Sequence, residues 1–287
     1  MSRVEVRKTH KLFIGGAFPR SESGRTYEVT SAEGTFIANV AQASRKDARD
    51  AVLAARAAFA KWSTATAYNR GQVLYRIAEV MEGRRDQFIA EVQAAEGTSA
   101  KKAAQHVDAA IDRWVWYAGW ADKYAQVIGN TNPVAGPYFN FSVPEPTGVV
   151  AAVAPQGHSI LGLVSVIAPI IVTGNAVIVM PSPSAPIPAI TLAECLATSD
   201  VPGGVVNILT GAPAEVMPWL AEHADVNALD LTGIVDESVA AELERQAAGT
   251  VKRVRQPRPD ADWAAIPSLS RMRHFVEITT VWHPIGT

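Results

Sequence analysis

Between Val149 and Val254 five short apolar runs, each closed by turn residues, alternate with longer segments of helical spacing. The runs are Val149 to Ala154, Ala176 to Met180, Val205 to Leu209, Ala228 to Leu231 and Val251 to Val254. Strands covered by helices on both faces are apolar on both sides, and each of these runs is short and mostly apolar. Ile160 to Thr173, Ile187 to Thr198, Pro213 to His223 and Asp236 to Ala248 are long enough to cross over and return the next strand parallel. The stretch predicts an α/β fold built on a doubly wound, Rossmann-like parallel sheet. Such sheets bind ligands at the carboxyl ends of their strands, so the turns there decide what the domain can do.

The rest of the chain restricts the function classes. With 287 residues, 48% of them apolar, there is material for a substantial core. A formal charge of −2 gives no basic field for nucleic acid, and Lys and Arg never run beyond a pair. Met1-Ser2-Arg3-Val4-Glu5 alternates charge without an apolar core, so no secretory signal and a cytoplasmic location are expected. The single cysteine, Cys195, excludes an intrachain disulfide and a cysteine-cluster metal site, and no metal site is expected. The longest apolar run, Ile160 to Thr173, is short for a bilayer and contains Pro169, which fits a buried crossover helix and no membrane partner.

Upstream, Lys11 to Phe18 around Gly15-Gly16 reads as a hairpin, followed by extended Thr26 to Thr30 and Phe36 to Ala41. Ser44 with Asp47 forms a capping box for a helix reaching about Trp62. Leu74, Ile77, Val80, Met81, Phe88 and Val92 carry a second helical period to Gly97, and a third runs from Ala100 to about Tyr124. Its Trp114, Trp116, Tyr117 and Trp120 are dense enough for a base-stacking platform, but on an amphipathic helix the reading is packing. Phe139 to Val143 and Thr147 to Ala152, joined by Pro144-Glu145-Pro146, predict a β-ribbon that the prolines confine to an edge or an arm. Arg255-Gln256-Pro257-Arg258-Pro259-Asp260 reads as linker, and Phe275 to Trp282 alternates with the period of a strand. That strand needs a partner in the ribbon, the main sheet or another chain.

Val149-Val150-Ala151-Ala152-Val153-Ala154-Pro155, Gly174-Asn175-Ala176-Val177-Ile178-Val179-Met180-Pro181, Val201-Pro202-Gly203-Gly204-Val205-Val206-Asn207-Ile208-Leu209-Thr210-Gly211 and Leu231-Thr232-Gly233 together resemble the aldehyde dehydrogenase superfamily. The resemblance runs from Phe13-Ile14-Gly15-Gly16 to Lys252-Arg253-Val254 and resumes at Phe275 to Pro284, which is similar to the family's C-terminal oligomerisation strand. It implies a cofactor-type domain over residues 1–254 with an oligomerisation ribbon at about 136–152. About twenty residues, 255–274, stand where the family has its catalytic domain, and 275–287 form the terminal strand. The chain is thus similar to a shortened member, like the second, cysteine-free module of tandem aldehyde dehydrogenases.

Against that family each chemical position reads as degenerate, and no catalytic residue is expected. The oxyanion-donating asparagine's phrase is here Pro155-Gln156-Gly157-His158-Ser159, and Gly157 has no side chain to donate. His158 and Ser159 are adjacent, with no carboxylate evident to orient the histidine. Cys195 lies on a crossover helix with no cation or helix N-terminus nearby to activate it. The family's base follows the Lys-Arg-Val strand, where this chain has Arg255-Gln256-Pro257. The ribose-holding lysine and glutamate become Met180 and Pro183, and the pyrophosphate turn becomes Gly233-Ile234-Val235-Asp236-Glu237-Ser238. Gln156, Gly157, Met180, Pro183, Gly233 and Ile234 are therefore degenerate cofactor positions; no cofactor is expected, NAD being the one candidate. The favoured reading is an inactive subunit, assembling with itself or with a full-length aldehyde dehydrogenase through Phe139, Phe141, Val276, Ile278, Val281 and Trp282. The alternatives are an NAD(P)-binding sensor, or an oxidoreductase of altered chemistry or completed by a partner chain.

Overall fold

The computed structural model describes residues 7–258 and 261–286. Met1 to Glu5, Pro259, Asp260 and Thr287, used above, lie outside the described residues. β1 (Thr9–His10), β2 (Thr26–Thr30) and β3 (Phe36–Ala41) form a small sheet. The expected hairpin before it is a tight turn in which Gly15 and Gly16 take φ of 62° and 81°. It exchanges Phe13 backbone bonds with Ile208, covering an edge of the main sheet.

α1 (Arg45–Thr64) starts at the expected capping box, with Ser44 and Asp47 each bonding the other's backbone. The next period is not one helix. It breaks at Gly83 into α2 (Ala67–Glu82) and α3 (Arg85–Glu96), because Gly83 closes one helix and Arg84 opens the next. Gly97, at φ 62°, ends α3 as expected. α4 (Ala100–Trp120) is followed by the separate α5 (Tyr124–Ile128). Trp114 and Tyr117 are buried in the core, and Trp116 and Trp120 pack against it, so the aromatic cluster is packing.

Next come β4 (Asn130–Asn132) and β5 (Tyr138–Pro146), then β6 (Val149–Val153), α6 (Leu161–Val172), β7 (Ala176–Met180) and α7 (Ile187–Ala197). β8 (Val206–Ile208), α8 (Pro213–Glu222), β9 (Ala228–Asp230), α9 (Glu237–Ala248) and β10 (Arg253–Arg255) complete the alternation. The five strands are parallel in the order β10-β9-β6-β7-β8, so the order reverses between β6 and β9. Alternate residues feed opposite cores: Val177 and Val179 join α2, α3, α4 and α6, whereas Ala176, Ile178 and Met180 join α1, α8 and α9. All twelve residues of α6 are buried. The carbonyls at its end are met by the Trp62 indole, at 2.9 Å from Ile171 O, and by Arg70 Nε, at 2.9 Å from Val172 O.

The segment read as a linker is packed. Trp263, Met272 and Phe275 enter the core, and 255–274 contains the end of β10 and α10 (Ser270–His274). β11 (Val276–Pro284) then pairs antiparallel with β5 in a three-stranded sheet of order β11-β5-β4. This corrects the ribbon: β5 runs through both prolines as the central strand, and Thr147 to Ala152 leaves it for the main sheet. The prolines are tolerated because Thr147 N–H points to Phe275 O, on the β11 side. By alternation Pro144 and Pro146 lack N–H groups only on the opposite side, where pairing with β4 has ended at Ser142.

Candidate functional site

The turn after β6 lies beside the sheet's reversal point. Gln156 Nε2 bonds back to Ala154 O at 2.9 Å, and Gly157 faces open space. Ser159 is buried, and both its N–H and its hydroxyl donate to Glu96 Oε1 at 2.7 Å. Glu96 Oε2 lies 3.1 Å from His106 Nδ1, and the His106 and His158 rings are 5.4 Å apart. A carboxylate is therefore present where the sequence shows none, supplied by the end of α3. It binds Ser159 and His106 rather than orienting His158. Burial pushes the His158 imidazole below its ordinary range, opposed by Glu96, and its Nδ1 is buried without a hydrogen bond. Ser159 donates to a carboxylate and not to an imidazole, so the cluster clamps the turn and does not form the serine–imidazole pair of a hydrolytic triad.

The turn after β7 offers no charged group. Met180 is fully buried in the core shared with α8 and α9, and Pro183 is half-buried. At the turn after β9, Gly233 N–H bonds Val153 O at 2.9 Å, and a side chain there would collide with Ala154 O. Gly233 is thus fixed by close approach of two backbones. Ile234 is buried in the same core as Met180. Asp236 caps α9, its Oδ1 accepting from Ser238 N at 2.8 Å, Ser238 Oγ at 2.6 Å and Val239 N at 3.4 Å. The Ser238 bonds hold its carboxyl below the usual range. The amides that open α9 already have an anion.

Cys195 is buried on α7. The expectation that no cation is near it is corrected: Arg84 Nη1 lies 4.0 Å from Sγ. Arg84 is also paired with Glu194, and burial outweighs its field, pushing the thiol up to about 11. At the end of β10, Arg255 is buried, and Arg271 of α10 pairs with the wholly buried Asp230 at 2.7 Å. Asp230 Oδ1 also accepts from Thr232 N at 3.0 Å. Among the described residues no group of three or more His, Cys, Asp or Glu could hold a metal, and no helix is long and apolar enough to cross a membrane.

Residues 18–256 match the model of the aldehyde dehydrogenase family. The chain belongs to that family. The cytosolic 10-formyltetrahydrofolate dehydrogenase of Pongo abelii is 33% identical over 242 residues, 81% of this chain and 26% of that protein. Retinal dehydrogenase 2 of Gallus gallus is 34% identical over 259 residues, 88% of this chain and 48% of that one. Among solved structures, the NAD+ complex of a Bacillus cereus aldehyde dehydrogenase superposes with a TM-score of 0.81 at 27% identity, covering 86% of this chain and 50% of that one. A Staphylococcus aureus betaine aldehyde dehydrogenase variant with NAD+ gives 0.80 at 26%, covering 85% and 49%. This aldehyde dehydrogenase family chain thus spans half or less of these relatives. The family's Rossmann-like sheet is present as expected, with β10 and the turns after β6, β7 and β9 at its ligand end.

Proposed function

We propose that the chain is a catalytically inactive aldehyde dehydrogenase-like subunit that assembles with itself or with a full-length family member through the β11-β5-β4 sheet. The observation that carries this reading is the sheet itself. On one face stand Phe139 and Phe141, ring centroids 5.4 Å apart, with Val281 opposite Phe141. On the other, Trp282 meets Tyr138 edge-on at 5.7 Å, and Ile278 stands farther along the same face, opposite Pro144. Phe139, Ile278 and Trp282 are 47%, 51% and 58% exposed. Val276, expected in the assembly surface, is buried in the chain's own core. Among the described residues β11 and β4 each pair on one side only, leaving edges for another strand.

The inactive half of the proposal rests on the strand-end turns. The thiol is inert, Gly157 offers no donor, and Pro257 stands where the resemblance places the base. Met180 and Ile234 are built into an apolar core, and Asp236 occupies the amides of α9. These residues do not fit a dinucleotide in the family's manner. Aldehyde and NAD together should give no reduced cofactor, and turnover abolished by Cys195→Ala would overturn the reading. A tagged chain co-expressed with a full-length aldehyde dehydrogenase should retain it, and Ile278→Asp should release it; retention unaffected by that change would count against this surface. The second reading, a nucleotide sensor, is favoured by the NAD+ complexes among the structural neighbours. A micromolar dissociation constant for NAD in calorimetry would select it.

A further inference from the structure

A cavity of about 320 Å³ opens between the end of β10, the middle of α4 and the segment leading into α10, and Arg113, Arg255, Arg258 and Arg271 line it. Among the described residues two carboxylates stand near these cations. Asp230 has both oxygens in use, Oδ1 by Thr232 and Oδ2 by Arg271. Asp262, on the exposed rim, accepts from Ala264 N at 2.9 Å. Of the four guanidinium groups only that of Arg271 is paired with a carboxylate among the described residues.

Two of the arginines are structural. Arg113 donates to Ser165 Oγ and, at 2.8 and 2.9 Å, to the carbonyls of Trp263 and Ala265. Arg271 holds Asp230 and donates to Thr232 Oγ1 at 3.0 Å, its guanidinium 5.0 Å from the Trp263 ring centre. Arg255 differs. It is only 9% exposed, and among the described residues its Nε has no hydrogen-bond partner; the same holds for Arg113 Nε. Burial, with Arg271 next, pushes Arg255 below its ordinary value. A guanidinium nonetheless remains protonated in a protein, and burying its Nε–H without an acceptor is unfavourable. Tyr117 on the inner wall is held protonated by burial, its phenol pushed up to about 12, which leaves it able to donate.

We propose that this cavity binds a small dianionic oxyanion of the phosphate class, free or as a phosphomonoester, with Arg255 as its principal ligand and Arg258 closing over it. The planar donor fork of arginine matches phosphate oxygens, and Arg113, Arg255 and Arg258 have no carboxylate partner among the described residues. Ligand pockets run from about 300 to 1,000 Å³, so this one suits a small ion and not a dinucleotide. Because its walls come from β10, α4 and the 255–274 segment, the anion bridges that segment to the sheet domain.

The test titrates the full chain with inorganic phosphate by calorimetry at low ionic strength, with methyl phosphate and succinate in parallel. One saturable site is expected, weakened at least tenfold by Arg255→Gln and unchanged by Arg253→Gln, whose exposed guanidinium instead pairs with Glu277. Methyl phosphate binding at least as tightly as phosphate assigns a phosphomonoester; weaker binding assigns the free ion. Without phosphate, Arg255→Gln should melt no lower than the parent, and phosphate should raise the melting temperature of the parent alone. The proposal is overturned by absence of a saturable phosphate site, by equal weakening in both variants, by tighter binding of succinate, or by an Arg255→Gln variant that melts lower without phosphate.

Discussion

Arg271 reaches Asp230 across 41 positions of sequence, and both groups are removed from water. Arg271→Ala would strand a buried carboxylate, and removal of one partner from such a pair costs about 3–5 kcal/mol. Urea unfolding should show that loss; a change below about 1 kcal/mol, the range of exposed pairs, would show the pair to be solvent-screened. His10 supplies a pH dependence. Burial, aided by Lys8, lowers its imidazole from 6.5 to about 4, so unfolding takes up a proton between those values. Its contribution is whole above 6.5 and is lost as pH falls toward about 4, up to roughly 3 kcal/mol. His10→Gln should flatten that part of the stability–pH curve, whereas parallel curves for parent and variant would contradict the assignment. Gly233→Ala should be destabilising by about 3 kcal/mol, the upper range for overpacking, because the collision is with backbone. At this scale the sequence itself shows that Gly157, Met180, Pro183 and Ile234 bring neither a side-chain donor nor a charge to their turns. It does not disclose Glu96 or Arg271, whose partners at Ser159 and Asp230 lie 63 and 41 positions away and share no local pattern.

Elements that obey one period were legible. β7 has the bounds expected of it, because burial on both sheet faces imposes an unbroken apolar run, and α6, α7, α8 and α9 fall within a residue or so of theirs, α8 and α9 by the helical spacing of their buried residues. The break at Gly83 was not legible, since the apolar stripe continues in register across it. The central placement of β5 was hidden by its prolines, whose missing donors matter only on the side that β4 leaves open. β11 makes an element-scale prediction. Trp282 is 58% exposed and has one aromatic contact, so Trp282→Ala should lower the stability of a single chain by no more than about 1.5 kcal/mol. The same change should weaken self-association or association with a full-length enzyme at least tenfold. A large loss of chain stability with unchanged association would place the tryptophan in the core rather than at an interface.

For the whole molecule, the parallel sheet and its helices agree with the sequence reading, the ribbon is one of the three partners the sequence left open for the terminal strand, and the packing of 255–274 was not foreseen. Its prolines and charges read as linker, yet Trp263 and Met272 seal one core and Arg271 anchors the segment to β9. The chain therefore covers much of its own sheet domain. Tyr138, Phe139, Ile278 and Trp282 are the exposed large apolar side chains that share the β11-β5-β4 sheet, and others stand elsewhere, at Tyr68, Tyr75, Val251 and Ile266 among the rest. Assembly rests on the first group. Light scattering coupled to size-exclusion chromatography, on the intact chain alone and co-expressed with a full-length aldehyde dehydrogenase, tests it most directly. The expected result is a mass above one chain in at least one of the two samples, reverting to one chain with Trp282→Ala; a monomer in both would rule out assembly through this sheet.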